Sequence, residues 1–202
     1  MEFKIIETLR HLWDNRPSHR LAKQKANIRE ITSQRRRIMT KEEVKEKSER
    51  IVERLEQMPE FQEAQVIMCY YPIHNEVDIR PLLNKYKESK TILLPVVHRA
   101  SIEMRPYTGK EDLHRGKFGI PEPKSGSFRG KPDLIIVPGV AFDKNCNRLG
   151  RGKGFYDRFL RRFVGVESIG VAYDRQIVDK IPTDRFDKKM THVVTPTATY
   201  TY

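Results

Sequence analysis

The sequence predicts an α/β domain, a three-layer α/β/α sandwich around a largely parallel, mixed sheet. Three observations carry that expectation. "QVIMCYY", "TILLPVV", "PDLIIVPG" and "ESIGVAY" are short, nearly unbroken apolar runs, the composition of strands buried on both faces. Segments of helical period alternate with them, as in a parallel sheet covered by helices. The 202 residues suffice for one core, and no internal repeat or second core is visible.

The elements follow in order. Residues 1–13 place Phe3, Ile6, Leu9 and Trp13 at helical spacing, ended by the breaker "DNRPSH". Residues 1–22 are thus expected to form an N-terminal helical extension with a hinge, and residues 23–202 the α/β domain. A second helical stretch covers 21–38. Thr40 opens a third, with Glu43 three residues on as a capping box. Val44, Ile51, Val52, Leu55 and Met58 keep one apolar face as far as Pro59. After the strand at 65–71, "NEVDIRPLLNKYKES" contains a helix expected to be capped by Asp78. "TILLPVV" is a second buried strand, and "SIEMRPY" alternates as a more exposed one. A glycine- and proline-rich stretch, 109–132, precedes the buried strand "PDLIIVPG". "GFYDRFLRRFV" is helical, with Phe155, Phe159 and Phe163 on one stripe. "ESIGVAY" and "HVVT" supply the last strands. The order is Rossmann-like.

Composition narrows the function classes. No run approaches the roughly 18 apolar residues of a membrane span. The first twenty residues intersperse Glu2 and Glu7 among apolar positions and lack a signal-peptide core. Cys69 lies in an apolar run and Cys146 in a loop, which argues against a disulfide framework. A cytoplasmic protein with no membrane partner is expected. The net charge of +12 suits nucleic acid, anionic lipid or small polyanions. "RRR" at 35–37 lies in a helical stretch, whereas Arg148, Arg151 and Lys153 lie in a glycine loop. There is neither a long lysine tail nor an interleaved aromatic platform, so nucleic acid is the weaker expectation.

"NRLGRGKGFYDRF" (147–159) is the most informative stretch. Its glycines let backbone N–H groups approach phosphate oxygens without Cβ interference, and the loop opens a helix. It matches neither the dinucleotide fingerprint nor the common phosphate loop ending in lysine and serine or threonine. Its bland alternative is a surface turn solvated by its arginines. Asp157, in the first helical turn, reads as a dipole-complementing acid or as a holder of nucleotide-borne Mg²⁺. Tyr156 lies off the phenylalanine stripe and suits a cleft wall that stacks on a planar ligand. "YYPIHNEVDI" (70–79) follows the first buried strand at the end where open α/β sheets bind ligands. There Glu76 is either a surface acid or a buried acceptor for an N–H-rich heterocycle, and His74 is a solvated loop histidine. Phe118, in "KFGIPEP", walls a pocket or anchors a loop. Lys25 and Arg29 share one helical face with Arg36 two turns on, a pattern that by itself describes a solvated basic helix.

Taken together, these motifs resemble the 5-formyltetrahydrofolate cyclo-ligases, also called 5,10-methenyltetrahydrofolate synthetases. The likeness rests on "K-x-x-I-R" at 25–29 with Arg36 and Thr40, on "YYPIHNEVDI", "GIPEP", "PGVAFD" and "RLGRGKGFYDRFL", and on Asp187 to Thr195. It runs from about residue 23 to 196. The resemblance implies an ATP- and Mg²⁺-dependent ring closure. ATP phosphorylates the formyl oxygen of 5-formyltetrahydrofolate, N10 attacks that carbon, and 5,10-methenyltetrahydrofolate, ADP and phosphate result. It also implies that Lys25, Arg29 and the loop Arg148, Leu149, Gly150, Arg151, Gly152, Lys153, Gly154, Phe155 and Tyr156 contact ATP. Tyr71, Glu76 and Phe118 would contact the folate, residues 151–156 would meet both ligands, and Asp157 and Asp187 would coordinate Mg²⁺. A monomer is expected, with the N-terminal helix as the surface available for an oligomer, and a polyglutamylated folate as a fitting polyanion. Phe155 stands where the family often has tyrosine, which removes a hydroxyl. The alternatives are another ATP-dependent ligase or kinase on this scaffold, or a basic nucleic-acid-binding module.

Overall fold

The computed structural model describes residues 17–99, 101–116 and 119–202. The helix expected over 1–13 and the pocket wall expected of Phe118 lie outside the described residues.

Three helices lead into the sheet: α1 (Pro17–Arg37), α2 (Lys41–Glu56) and the short α3 (Pro59–Glu63). Helix α1 is continuous across residue 22, where the extension was expected to end. The capping box of α2 is present: the Thr40 hydroxyl accepts from the Glu43 N–H at 3.1 Å, and the Glu43 carboxylate accepts from the Thr40 N–H at 3.0 Å. Strand β1 (Val66–Met68) follows, then α4 (Arg80–Tyr86), β2 (Thr91–His98) and β3 (Ser101–Pro106). A small hairpin, β4 (Leu113–Arg115) with β5 (Pro121–Pro123), precedes β6 (Leu134–Pro138). A ribbon of β7 (Ala141–Asp143) and β8 (Arg148–Leu149) leads into α5 (Phe155–Leu160). The chain ends with β9 (Glu167–Val171), β10 (Ile177–Val178), β11 (His192–Val194) and β12 (Thr199–Thr201).

The main sheet runs β12-β11-β9-β6-β1-β2-β3, with parallel pairing from β11 to β2 and antiparallel strands at both edges. From β1 the chain first winds to β2 and β3, then returns to the other side of β1 for β6, β9 and β11. The winding direction therefore reverses between β1 and β6, and the carboxyl ends of those strands flank a crevice. Strand periodicity of two fills both faces. Ile67, Ile92, Leu94, Leu134, Ile136, Ile169 and Val194 pack against Ile51, Leu55, Phe61 and Leu82 of the helices. Met68, Leu93, Ile135, Val137 and Val193 face Phe142, Phe159 and Leu160 on the other side.

Several boundaries differ from expectation for local reasons. Asp78 does not cap α4. The N-cap is Ile79, and a proline in the first turn sets the start. The Asp78 carboxylate instead accepts from the Arg80 N–H and guanidinium at 2.6–3.0 Å. Helix α5 is only six residues long. Phe163 lies beyond it, yet its ring still packs 5.0 Å from that of Phe159. The β7–β8–β10 ribbon and the β4–β5 hairpin are made of two- and three-residue strands with no periodicity of their own.

Candidate active site

A cavity of about 1470 Å³ occupies the crevice between the ends of β1 and β6. A pocket for one small ligand takes roughly 300–1,000 Å³, so this one has room for two substrates side by side. Its walls come from α1, the segment after β1, the β2–β3 strands, the glycine loop and residues 183–187.

The glycine loop is braced from behind. The fully buried Asp143 carboxylate accepts from the N–H groups of Asn145, Asn147 and Ile181 at 2.9–3.0 Å, and from the Asn147 side chain. Gln176 donates to the carbonyls of Gly139 and Val140, both at 3.0 Å. Arg148, only 5% exposed, is packed beneath the loop at the edge of the cavity. There it pairs with Asp157 at 3.1 Å and lies over the Tyr156 ring, while its Nε has no partner among the described residues. Gly152 and Gly154 have φ of 96° and 62°, a left-handed conformation in which a side chain would be strained. Arg29 Nε donates to the Gly150 carbonyl at 2.8 Å, which ties α1 to the loop. Because α5 is so short, attraction for an anion here rests on loop amides and guanidinium groups, not on a helix dipole. Phe155, half-buried, carries Arg158 over its ring at 5.3 Å.

Lys25 is buried and donates to Asp187 at 2.6 Å and to Asp184 at 3.1 Å. The spacing of Lys25 and Arg29 thus delivers both cations to one wall. Asp187 also accepts from the Asp184 N–H, and Asp157 from the Lys188 N–H. Asp157 and Asp187 both line the cavity, each already facing a cation. Among the described residues no group of three His, Cys, Asp or Glu side chains could hold a metal by itself. Two carboxylates in one cavity nevertheless fit Mg²⁺, which takes one or two protein carboxylates together with phosphate oxygens and water.

Opposite stands Glu76, whose side chain is 10% exposed. Its Oε1 pairs with Arg151 at 2.6 Å, and its Oε2 accepts from the Ile73 N–H at 3.2 Å. The Tyr173 hydroxyl, itself bonded to Ser48, donates to the Glu76 carbonyl at 3.1 Å and fixes that backbone. Burial pushes the Tyr173 phenol up to about 12, so it remains a donor at neutral pH. Burial lowers the Arg36 guanidinium from its ordinary value, and the nearby Glu76 charge opposes that. Tyr71 and Tyr156 line the same cavity, and burial raises the Tyr156 phenol. His74 is exposed.

The structure brings Lys25, Arg29, Tyr71, Glu76, the 148–157 loop and Asp187 to one cavity. Sequence reasoning missed Asp184, Glu122 and Phe186, which line it too. "GIPEP" held the only signal for Glu122. Asp184 and Phe186 had none: the cation that Asp184 meets, Lys25, lies 159 positions away, and no local pattern marks the 183–187 turn.

The sequence model of the 5-formyltetrahydrofolate cyclo-ligase family matches residues 21–196. The 5-formyltetrahydrofolate cyclo-ligase of Escherichia coli strain K12 is 32% identical over 173 residues, covering 81% of this chain and 95% of its own. That of Mus musculus is 29% identical over 187 residues, covering 84% and 92%. Among solved structures, the 5,10-methenyltetrahydrofolate synthetase of Aquifex aeolicus aligns with a TM-score of 0.80 at 35% identity, covering 88% of this chain and 92% of that one. A synthetase from Mycoplasma pneumoniae, with a TM-score of 0.69 at 23% identity, shares the fold.

Proposed function

The chain belongs to the 5-formyltetrahydrofolate cyclo-ligase family, and on that premise we infer an ATP-dependent ligase that converts 5-formyltetrahydrofolate to 5,10-methenyltetrahydrofolate. The observation that supports the residue roles is a single cavity with an acidic acceptor on one side and a cation-rich glycine loop with two carboxylates on the other.

Glu76 would accept N–H groups of the pterin, beside Tyr71 and Tyr156. To do so it must release Arg151, whose guanidinium now occupies its Oε1. The freed Arg151 would then serve the phosphates with Lys25, Arg29, Lys153 and the loop amides. A formamide oxygen is a poor leaving group, and phosphorylation corrects that. Holding both substrates in one cavity makes phosphoryl transfer effectively unimolecular, and the N10 attack is intramolecular. The phosphoryl group in flight needs charge stabilisation more than covalent help. Asp157 and Asp187 would hold the Mg²⁺ that neutralises phosphate charge.

Residues 1–22 are proposed as an extension of the catalytic unit, since the family match begins at residue 21. The last turn of that extension reaches the site, because Ser18, Leu21 and Ala22 line the cavity. A monomer, a cytoplasmic setting and a polyglutamylated substrate complete the reading. Two buried free thiols and a basic cavity rim with Arg158, Arg161 and Arg185 support the last two. Incubation of purified protein with Mg-ATP and 5-formyltetrahydrofolate, followed by ultraviolet absorbance, tests the reading. Methenyl product that requires ATP is expected. Its absence contradicts the reading.

A further inference from the structure

Five carboxylates line the cavity, and four are held by cations. Glu76 faces Arg151 at 2.6 Å, Asp157 faces Arg148 at 3.1 Å, and Asp187 and Asp184 face Lys25 at 2.6 and 3.1 Å. The fifth, Glu122 of β5, meets no cation among the described residues although it is only 5% exposed. Its Oε1 accepts one long hydrogen bond, 3.3 Å, from the Val97 N–H, and its second oxygen has no protein partner among the described residues. Gly116 backs directly onto the carboxyl group and leaves no room for a β-carbon. The carboxylate is therefore held in place, with apolar neighbours Pro95, Val97, Ile102 and Ile120 on the same wall. Burying a carboxylate without a counter-ion is unfavourable unless a ligand supplies the missing donor.

The strand order gives its place. Glu76 follows β1, the glycine loop follows β6 on one side of it, and Glu122 is attached to β2 on the other. A folate anchored by its pterin at Glu76 thus has the phosphoryl donor on one flank and Glu122 on the other. We propose that Glu122 is a catalytic residue, the acceptor of the N10 proton during ring closure. The proposal rests on the cyclo-ligase reading. The N10 lone pair forms a bond to the phosphorylated formyl carbon, and the N10 proton passes to the free Glu122 oxygen. The carbon–oxygen bond then breaks, and inorganic phosphate leaves with its electron pair. The N5 lone pair completes the methenyl bridge. The four ion-paired carboxylates are committed elsewhere.

The test separates the two chemical steps. Glu122→Gln keeps an oxygen for the Val97 N–H, so the fold and melting temperature are retained, and Glu122→Asp keeps an acid group. With Mg-ATP and 5-formyltetrahydrofolate, ADP is measured by rapid quench in the first turnover, and methenyl product by absorbance. For E122Q, ADP appears at the unaltered rate while methenyl formation slows about 100- to 1,000-fold, the lower part of the range for a positioned general base. E122D falls between. The KM values of both substrates stay within about twofold of the unaltered protein, as they do when a group acts after binding. Methenyl formation in E122Q at the unaltered rate overturns the proposal, as does slowing of ADP and methenyl together with a raised folate KM. An unaltered protein that makes no methenyl product contradicts the cyclo-ligase reading itself.

Discussion

Arg151 and Glu76 satisfy each other within the cavity, whereas the proposed function draws Glu76 to the folate and Arg151 to the phosphates. Every ligand that claims one must displace the other. The pair is half-exposed on the arginine side, so about 1 kcal/mol is the appropriate scale, or about fivefold in affinity. Arg151→Ala should therefore tighten folate binding measured without ATP by about that factor, while weakening ATP binding. Isothermal titration with each ligand alone checks the opposite signs. Glu76→Gln should mainly weaken folate. Asp157→Asn should impair Mg-ATP use more than folate binding if Asp157 holds Mg²⁺ as proposed, since a carboxylate charge is lost. It also strips the nearly buried Arg148 of its counter-ion, so urea denaturation should show a loss of about 3 kcal/mol. These pairings were not legible in the sequence. Lys25 and Asp184 are 159 positions apart, and only the folded chain brings them together. The residue types around the glycine loop were legible, because loop and helix onset are contiguous.

At the scale of elements, local signals survived and distant ones did not. The Thr40–Glu43 capping box formed because both partners sit within one turn, and Thr40→Ala should lower stability by about 1 kcal/mol in thermal denaturation. The ribbon behind the glycine loop depends on Asp143 and Gln176, which gather N–H groups and carbonyls from three segments, and no periodicity announces such a structure. The 183–187 segment carries a pH signature. The Phe186 N–H, and after it Lys25, hold the Asp184 carboxyl below its ordinary value, against the opposing effect of burial. A depressed carboxyl contributes stability that is complete above its unfolded value of about 4 and is lost as pH falls through the lower folded value. The melting temperature of the unaltered protein should thus fall between pH 4 and lower values by more than that of Asp184→Asn. Equal slopes would contradict that account.

For the whole molecule, alternating buried runs specified the strands, and their two faces became the two apolar layers. Strand order was not specified in that way. It depends on which side of β1 the chain returns to, and that choice placed the crevice where β1 and β6 end. The net charge of +12 acquires a use in a cavity that takes polyanions. Because such attraction is screened over about 10 Å at 0.1 M salt, kcat/KM for ATP should fall as ionic strength rises. The central claim is that one cavity couples ATP cleavage to ring closure of a folate. Simultaneous measurement of ADP and of methenyl absorbance in the presence of Mg²⁺ tests it most directly. The account predicts one ADP for each 5,10-methenyltetrahydrofolate, with neither formed when the other substrate is withheld. ADP released without methenyl product, or methenyl product formed without ATP, would contradict it.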